Sequence, residues 1–227
     1  MDYNGKELEA FDKAHIWRKY IYLLIKKFLK KDILEVGAGI GSFTSNYIDQ
    51  DKNITLTDPD TYNSTLLEKK FIKNNNVKVL KCFVNEINNT FDNILYLNVL
   101  EHIEDDSGEL NKALEKLKTG GTIIVLVPAH QKLYGNLDKA VGHFKRYDLD
   151  FFKSVDLKNS RVEKLYYLDC TGYFLYFINK IFFKEEIYPS NFKIFIWDKI
   201  FTPITIILDK LIGYKFGKNI MCIIRKN

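Results

Sequence analysis

The sequence predicts an α/β fold built on a mostly parallel sheet with helices on both faces. Three observations carry that expectation. Short aliphatic and β-branched runs at 33–36, 54–57, 77–81, 93–97 and 122–127 alternate with stretches of helical spacing, as in parallel strands joined by crossover helices. A glycine-rich turn, Gly37 to Gly41, follows the first run directly. The 227 residues, 46% hydrophobic and 28% charged, suit one domain with a sizeable core and exclude disorder over the whole chain.

In chain order, the spacing predicts a helix over 8–31, with Phe11, Ile16, Tyr20, Leu23, Leu24 and Phe28 near one face. Lys26, Lys27, Lys30 and Lys31 fall at its end, where cations meet the negative pole of the helix dipole. A strand at 33–36 stops at the glycines, and 41–49 continue as a helix. A second strand and helix occupy 54–57 and 61–73, and further strands follow at 77–81 and 93–97. Leu110, Ala113, Leu114 and Leu117 mark one face of a helix at 108–117. Gly120-Gly121 closes it before the β-branched fifth strand, 122–127. Beyond residue 150 the composition shifts, with 16 aromatic residues before that point and 17 in the last 77 positions. Here a strand is expected at 161–168, helices at 170–183 and 191–212 broken by Pro189 and Pro203, and a last strand at 220–224. No flexible linker sets this part off, so 1–227 reads as a single domain with a helical, aromatic-rich insertion before its final strand.

Composition also excludes several function classes. Four prolines and twelve glycines rule out collagen-like and low-complexity chains. Cys82, Cys170 and Cys222 are scattered, which makes neither a disulfide framework nor a zinc motif and fits a reducing, cytoplasmic location. The acidic, polar stretch from Met1 to Ala10 does not read as a secretory signal, and no apolar run approaches the roughly 20 residues of a spanning helix. The net charge of +5 is distributed among interspersed acids and bases, so no nucleic-acid partner is expected.

The chemistry starts at Glu35-Val36-Gly37-Ala38-Gly39-Ile40-Gly41. Glycines between a strand and a helix let the backbone turn sharply and let a ligand approach it closely. Asp58 ends the second strand, where a carboxylate can accept two hydrogen bonds from ribose hydroxyls. Both NAD and S-adenosylmethionine carry that ribose, so Asp58 does not choose between them. The Gly-x-Gly-x-x-Gly of dinucleotide enzymes needs glycine at 42, where Ser42 stands, and this disfavours an NAD-linked oxidoreductase.

Four segments in order then resemble the class I S-adenosylmethionine-dependent methyltransferases: 33–41, Thr57-Asp58-Pro59-Asp60, 91–105 with its Asn98-Val99-Leu100-Glu101-His102, and 120–128. The resemblance implies a Rossmann-like, seven-stranded sheet, with residues 1–31 as a helical cap, 32–130 as the cofactor-binding core, 131–215 as acceptor-side loop and helices, and 216–227 as the last strand. It implies S-adenosyl-L-methionine as cofactor and S-adenosyl-L-homocysteine as product. Gly37, Ala38 and Gly39 would face the methionine part, with Glu35 supporting their loop; Asp58 and Pro59 would lie at the ribose, and Asn98 beside the sulfonium. Cys82-Phe83-Val84-Asn85 departs from the family, which commonly has Asp there; this leaves Phe83 to pack on the adenine ring and a backbone group or Asn85 to replace the carboxylate. The stretch Leu133-Tyr134-Gly135-Asn136-Leu137-Asp138, then Gly142-His143-Phe144-Lys145-Arg146-Tyr147, resembles a narrower subgroup often linked to cell-surface polysaccharide or glycolipid biosynthesis. This implies a small-molecule, sugar or glycolipid-like acceptor; a catalytically silent, cofactor-binding partner protein is the alternative.

A hydroxyl acceptor needs its proton removed, and histidine titrates in the useful range. His15, His102, His130 and His143 are the candidates. His143 ranks first because Asp138 can orient it, and Arg146 suits an anionic acceptor. His102 lies just past the fourth strand. Glu101-His102 is similar to part of a Glu-x-x-Glu-His stretch linked to a metal in quinone-type O-methyltransferases, but Asn98 replaces its first carboxylate, so no metal is expected. The loop His130 to Tyr147 is expected to be an acceptor-side lid, partly mobile without substrate. The aromatic final third, Tyr166, Tyr167, Tyr173, Phe174, Tyr176, Phe177, Phe182 and Phe183, would serve core packing and a homodimer face, or else an acceptor pocket or peripheral membrane contact.

Overall fold

The structure is a computed structural model that describes residues 6–182 and 188–227; Met1 to Gly5 and Phe183 lie outside the described residues. Seven strands form one sheet: β1 (Asp32–Val36), β2 (Asn53–Thr57), β3 (Val77–Leu80), β4 (Phe91–Leu97), β5 (Leu117–Pro128), β6 (Ser160–Leu168) and β7 (Asn219–Lys226). Their order is β3-β2-β1-β4-β5-β7-β6. The first five are parallel, while β7 runs antiparallel to both β5 and β6. The expected α/β class is therefore present, and the carboxyl ends of β1, β2, β4 and β5 share one edge. Ligands bind beyond that edge in open sheets of this kind.

The helices are α1 (Lys6–Phe11), α2 (His15–Ile25), α3 (Thr61–Phe71), α4 (Asp106–Glu115), α5 (Asn136–Ala140), α6 (Leu149–Ser154), α7 (Cys170–Phe182), α8 (Asn191–Ile196) and α9 (Thr202–Leu211). Two apolar clusters cover the two sheet faces. One centres on Tyr96, Ile123, Val125 and Cys222 with α4 and α6; the other centres on Leu56, Leu95, Ile124 and Met221 with α2 and α3. β5 and β7 are buried for most of their length, as strands covered on both faces must be.

Several expectations need correction. The single helix over 8–31 is two helices, because the chain turns at Asp12–Ala14, where the Arg18 guanidinium reaches the carbonyls of Phe11 and Asp12. The helix expected at 41–49 is only a 3-10 turn, Thr44–Asn46, because the hydroxyls of Thr44 and Tyr47 turn inward to the Glu35 carboxylate. Pro203 does not break the late helix. It occupies the first turn of α9, where a missing N–H costs nothing, and a five-residue π turn, Trp197–Phe201, joins α8 to α9. The loop 130–147 contains α5, and α6 follows it where no helix was read.

Three buried aspartates attach the C-terminal helices to the rest. Asp209 on α9 accepts hydrogen bonds from the backbone N–H of Asp169 (2.9 Å) and Cys170 (3.1 Å) and from the Tyr20 hydroxyl (3.0 Å). Asp169, itself in the left-handed region at φ 66°, accepts from Gly172 N–H at the start of α7. Asp198 accepts from Trp17 N–H on α2 at 2.9 Å. Each satisfies backbone donors that a helix start leaves open.

Candidate active site at the carboxyl edge of the sheet

The turn after β1 has the backbone that its glycines predict. Gly37, Gly39 and Gly41 have φ of 62°, 57° and 69°, a region costly for residues with a Cβ. A Cβ at Gly37 would lie 2.9 Å from the Val99 side chain, so the turn after β1 and the turn after β4 touch at a point where no side chain fits between them. Glu35 is buried, and its carboxylate accepts from Thr44 Oγ1 at 2.5 Å and from the Tyr47 hydroxyl. Burial pushes its pKa up from 4.5 to about 7. Its role is to hold the segment after the glycines in place, as expected for a support.

Asp58, at the end of β2, is also buried. Its Oδ2 accepts from Gly39 N–H at 2.9 Å and from Asn63 Nδ2 at 3.4 Å, and its Oδ1 accepts from Asp60 N–H at 3.0 Å. Burial raises its pKa, against the pull of these N–H groups. The carboxylate is thus tied to the glycine turn and keeps acceptor capacity for a diol. Pro59 and Phe83 are exposed at the same edge, with the Phe83 ring 62% accessible and its N–H held by Glu86 at 2.7 Å. Asn98 ends β4 in the left-handed region at φ 59°, its N–H bonded to Leu126 O at 2.8 Å. The glycine turn, the buried Asp58 carboxylate, the exposed Phe83 and the left-handed Asn98 thus lie along the carboxyl edge of the sheet. α1 approaches from above: Leu8 lies 3.2 Å from where a Gly39 Cβ would sit, and Asp12 accepts from Ser42 Oγ at 2.5 Å.

The second half of the site comes from the loops after β4 and β5. Phe144 N–H donates to Glu101 O at 2.8 Å, joining them. His143 Nδ1 lies 2.8 Å from Asp138 Oδ1. Asp138 is fully buried and also accepts from Arg146 Nε (2.9 Å), Gly135 N–H (2.9 Å) and the Tyr176 hydroxyl (3.2 Å). Burial opposes its charge, but the bonds from His143 and Arg146 overcome it and hold the pKa down to about 2. An ionised Asp138 only accepts, so His143 Nδ1 carries a proton. Nε2 faces Glu101 Oε1 at 3.9 Å. The His102 ring packs edge-on against His143 at 4.7 Å between centroids. Burial, with His143 beside it, pushes the His102 pKa down to about 4, and burial pushes that of Glu101 up to about 7.

The structure brings His143, Asp138, Arg146 and His102 together and leaves the other two histidines elsewhere. His15 pairs with Arg18 on α2 at 2.9 Å, and His130 bonds Gly217 O at 3.0 Å while stacking on Tyr167. Arg146 is buried, paired with Asp138 and stacked 4.4 Å from the Tyr176 ring. Its guanidinium ties Asp138 to the loop. The lid is also pinned more firmly than its length predicts: Tyr134 OH donates to His143 O at 2.6 Å, and Tyr147 OH bonds Leu100 O and Asp106. Sequence reasoning missed Tyr176 and the weight of Glu101. Tyr176 was read only as one of the late aromatics and Glu101 only beside His102, because Asp138 and His143, which they meet, lie tens of residues away in the chain. Beside the loop opens a mainly apolar cavity of about 690 Å³, lined among others by Phe11, Pro128, Leu137, Arg146, Tyr176 and Trp197.

With this geometry established, the comparisons with known proteins decide the family. A methyltransferase-domain model matches residues 34–123, which spans β1 into β5. An uncharacterized protein of Methanocaldococcus jannaschii is 30% identical over 197 residues, 86% of this chain and 73% of that protein. The chain carries a methyltransferase domain on the fold of the class I S-adenosylmethionine-dependent methyltransferases. Its cofactor is that of the family, S-adenosyl-L-methionine. Solved structures share the fold at low identity. Coclaurine N-methyltransferase bound to N-methylheliamine and SAH superposes with a TM-score of 0.63 at 15% identity, covering 93% of this chain and 72% of that one. The plantazolicin methyltransferase BpumL in complex with SAH gives 0.55 at 13%, covering 96% and 84%. The 4+2 cyclase SpnF gives 0.62 at 15%, covering 92% and 80%.

Proposed function

We propose that this methyltransferase transfers the methyl group to a hydroxyl or amine of a small-molecule, sugar or glycolipid-like acceptor bound between the loops after β4 and β5. One observation carries this reading: the His143–Asp138 pair stands against Glu101 and His102, which lie in the turn directly after Val99, the residue that touches the glycine turn at Gly37. S-adenosylmethionine, when bound, supplies an activated methyl on a sulfonium. The residues of this chain then have three tasks. Gly37, Ala38, Gly39 and Asp58 orient the cofactor, and Asn98 faces its reactive end. The fixed loop 130–147 excludes water and aligns the acceptor, and positioning of this kind lowers a barrier by several kcal/mol, up to about 7–11 in ideal cases. His143 Nε2 accepts the acceptor's proton as the new bond forms, worth about 10²–10⁴ in rate. Asp138 fixes the tautomer, and Arg146 and Tyr176 hold Asp138.

The apolar cavity beside the loop favours an acceptor with an apolar body. The exposed apolar side chains of α7–α9, among them Phe174, Phe177, Phe195, Ile204, Ile207 and Leu211, support peripheral contact with a membrane surface as the place where a lipid-linked acceptor is met. No helix among the described residues is long and apolar enough to cross a membrane. The second reading is a catalytically silent cofactor-binding partner. The cyclase SpnF has this fold without the name of a methyltransferase, so fold alone does not decide against it.

The test is methyl transfer from labelled S-adenosylmethionine into polar and lipid extracts, with calorimetric titration of S-adenosylhomocysteine alongside. His143→Ala is expected to lower turnover by about 10²-fold or more with S-adenosylhomocysteine affinity nearly unchanged. Cofactor binding without transfer to any extract fraction would favour the silent partner. A variant that melts lower yet keeps its turnover per folded molecule would make the loop a structural clasp.

A further inference from the structure

We propose that Glu101, His102 and His143 form a binding site for one divalent first-row transition-metal ion. The proposal rests on the methyl-transfer reading for the ion's use, although not for its binding; with the ion bound, the His143 Nε2 lone pair goes to the metal, and lowering the acceptor's pKa takes the place of the base role given to His143 above. Each residue offers one ligand atom, and these atoms all lie within 4.8 Å of one another. Bonds of about 2.0–2.2 Å around one ion put neighbouring donors roughly 3–4 Å apart, so side-chain shifts of about 1 Å close the shell. Glu101 Oε1 and His143 Nε2, at 3.9 Å, already stand at that spacing.

The second observation is an orphan. Glu101 is 1% exposed, and its Oε2 is buried with no hydrogen-bond partner. A buried carboxyl oxygen in that condition is costly unless a cation or donor meets it. The carboxylate sits beside two imidazoles, its other oxygen 3.9 Å from His143 Nε2.

The surroundings are built as an outer ligand shell. A metal-bound histidine almost always donates its other ring N–H to a carboxylate or backbone carbonyl, which fixes its tautomer. Here His143 Nδ1 is on Asp138 at 2.8 Å, and Asp138 is held in turn by Arg146, Gly135 and Tyr176. The backbone of Gly142 hydrogen-bonds the His102 ring. Two imidazoles and one carboxylate select zinc, iron, manganese or cobalt over magnesium and calcium, which take oxygen shells. Three protein ligands leave a position open, where an acceptor hydroxyl would bind and become more acidic. The expectation of no metal rested on Asn98 lacking a carboxylate. Asn98 is not in the cluster, and the third ligand is His143, brought from the next loop by the Phe144 N–H bond to Glu101 O.

The test uses the full chain, stripped with chelator and titrated with Co²⁺, reading visible absorption and heat. One saturable Co²⁺ per chain is expected, with the ligand-field spectrum of a nitrogen–oxygen site. Glu101→Gln and His143→Ala should each weaken Co²⁺ by at least about tenfold, and Asp138→Asn by about tenfold through the outer shell. Asp58→Ala, in the cofactor turn, should keep wild-type Co²⁺ affinity. Thermal melts of every variant, with S-adenosylhomocysteine titration of the Glu101, His143 and Asp138 variants, establish that they are folded. No saturable Co²⁺ signal in the wild-type chain, or a site that survives both Glu101→Gln and His143→Ala, overturns the proposal. Because the readout needs no turnover, absence of methyl transfer does not touch it. Chelator-stripped protein that binds S-adenosylhomocysteine and methylates at full rate without Co²⁺ binding would remove the metal and leave the methyltransferase standing.

Discussion

Glu35 and Asp58 are both buried carboxylates flanking the same glycine turn, and their partners give them different work. Asp58 takes backbone N–H groups and faces the cofactor edge. Asp58→Ala should weaken S-adenosylhomocysteine binding by about 1.5–3 kcal/mol, the value of hydrogen bonds to a charged group; calorimetry reads this, and a loss below a few tenths would put the ribose elsewhere. Glu35 takes hydroxyls and faces the interior. Its folded pKa, about 7, lies above the ordinary 4.5, so its contribution to stability is complete below about 4.5 and is lost as pH rises through about 7. Glu35→Gln keeps an acceptor for Thr44 and Tyr47 and removes that slope. Melting temperatures across this window should therefore move in the variant's favour as pH rises, whereas parallel curves would mean that Glu35 does not titrate there.

At the scale of elements, side chains decide where helices start and how they are attached. α7 begins at a left-handed Asp169 whose carboxylate caps Gly172, and α9 supplies the Asp209 that receives the N–H groups of Asp169 and Cys170. Tyr20 brings α2 to the same carboxylate. Asp209→Ala leaves these buried donors unpaired, each costing about 1–3 kcal/mol. A stability loss of about 3 kcal/mol or more in urea denaturation is expected, together with earlier proteolysis of α7–α9. An unchanged midpoint would mean that apolar packing alone holds these helices. The same rule explains why the helix expected at 41–49 did not form: Thr44 and Tyr47 satisfy Glu35, and local periodicity does not register a demand made by a strand nine and twelve residues away.

In the whole molecule, the sheet is most deeply buried at its centre and thins toward β3, whose residues are all partly or fully exposed. Hydrogen exchange should be slowest in β4, β5 and β7 and fastest in β3, because opening the centre requires global unfolding while the edge opens locally. Uniform protection across the sheet would contradict this. The two apolar clusters on opposite faces make the sheet a rigid plate. Its carboxyl edge carries the glycine turn, Asp58, Asn98 and the turn leading to Glu101 and His102, so one rigid element positions them all.

The sequence by itself determined the alternation of strands and helices, the glycine turn with its left-handed backbone, the Asp58 that follows it and the family. These are local: aliphatic period, chain reversal and short motifs are written in neighbouring residues. It also singled out the pairing of His143 with Asp138, five positions apart. Only the tertiary structure decided that His102 and Glu101 stand against His143, and that Tyr176 closes the group from α7. Those pairs are separated by tens of residues, and burial, which decides whether a carboxylate needs a partner, is a property of the folded surroundings and of no residue alone.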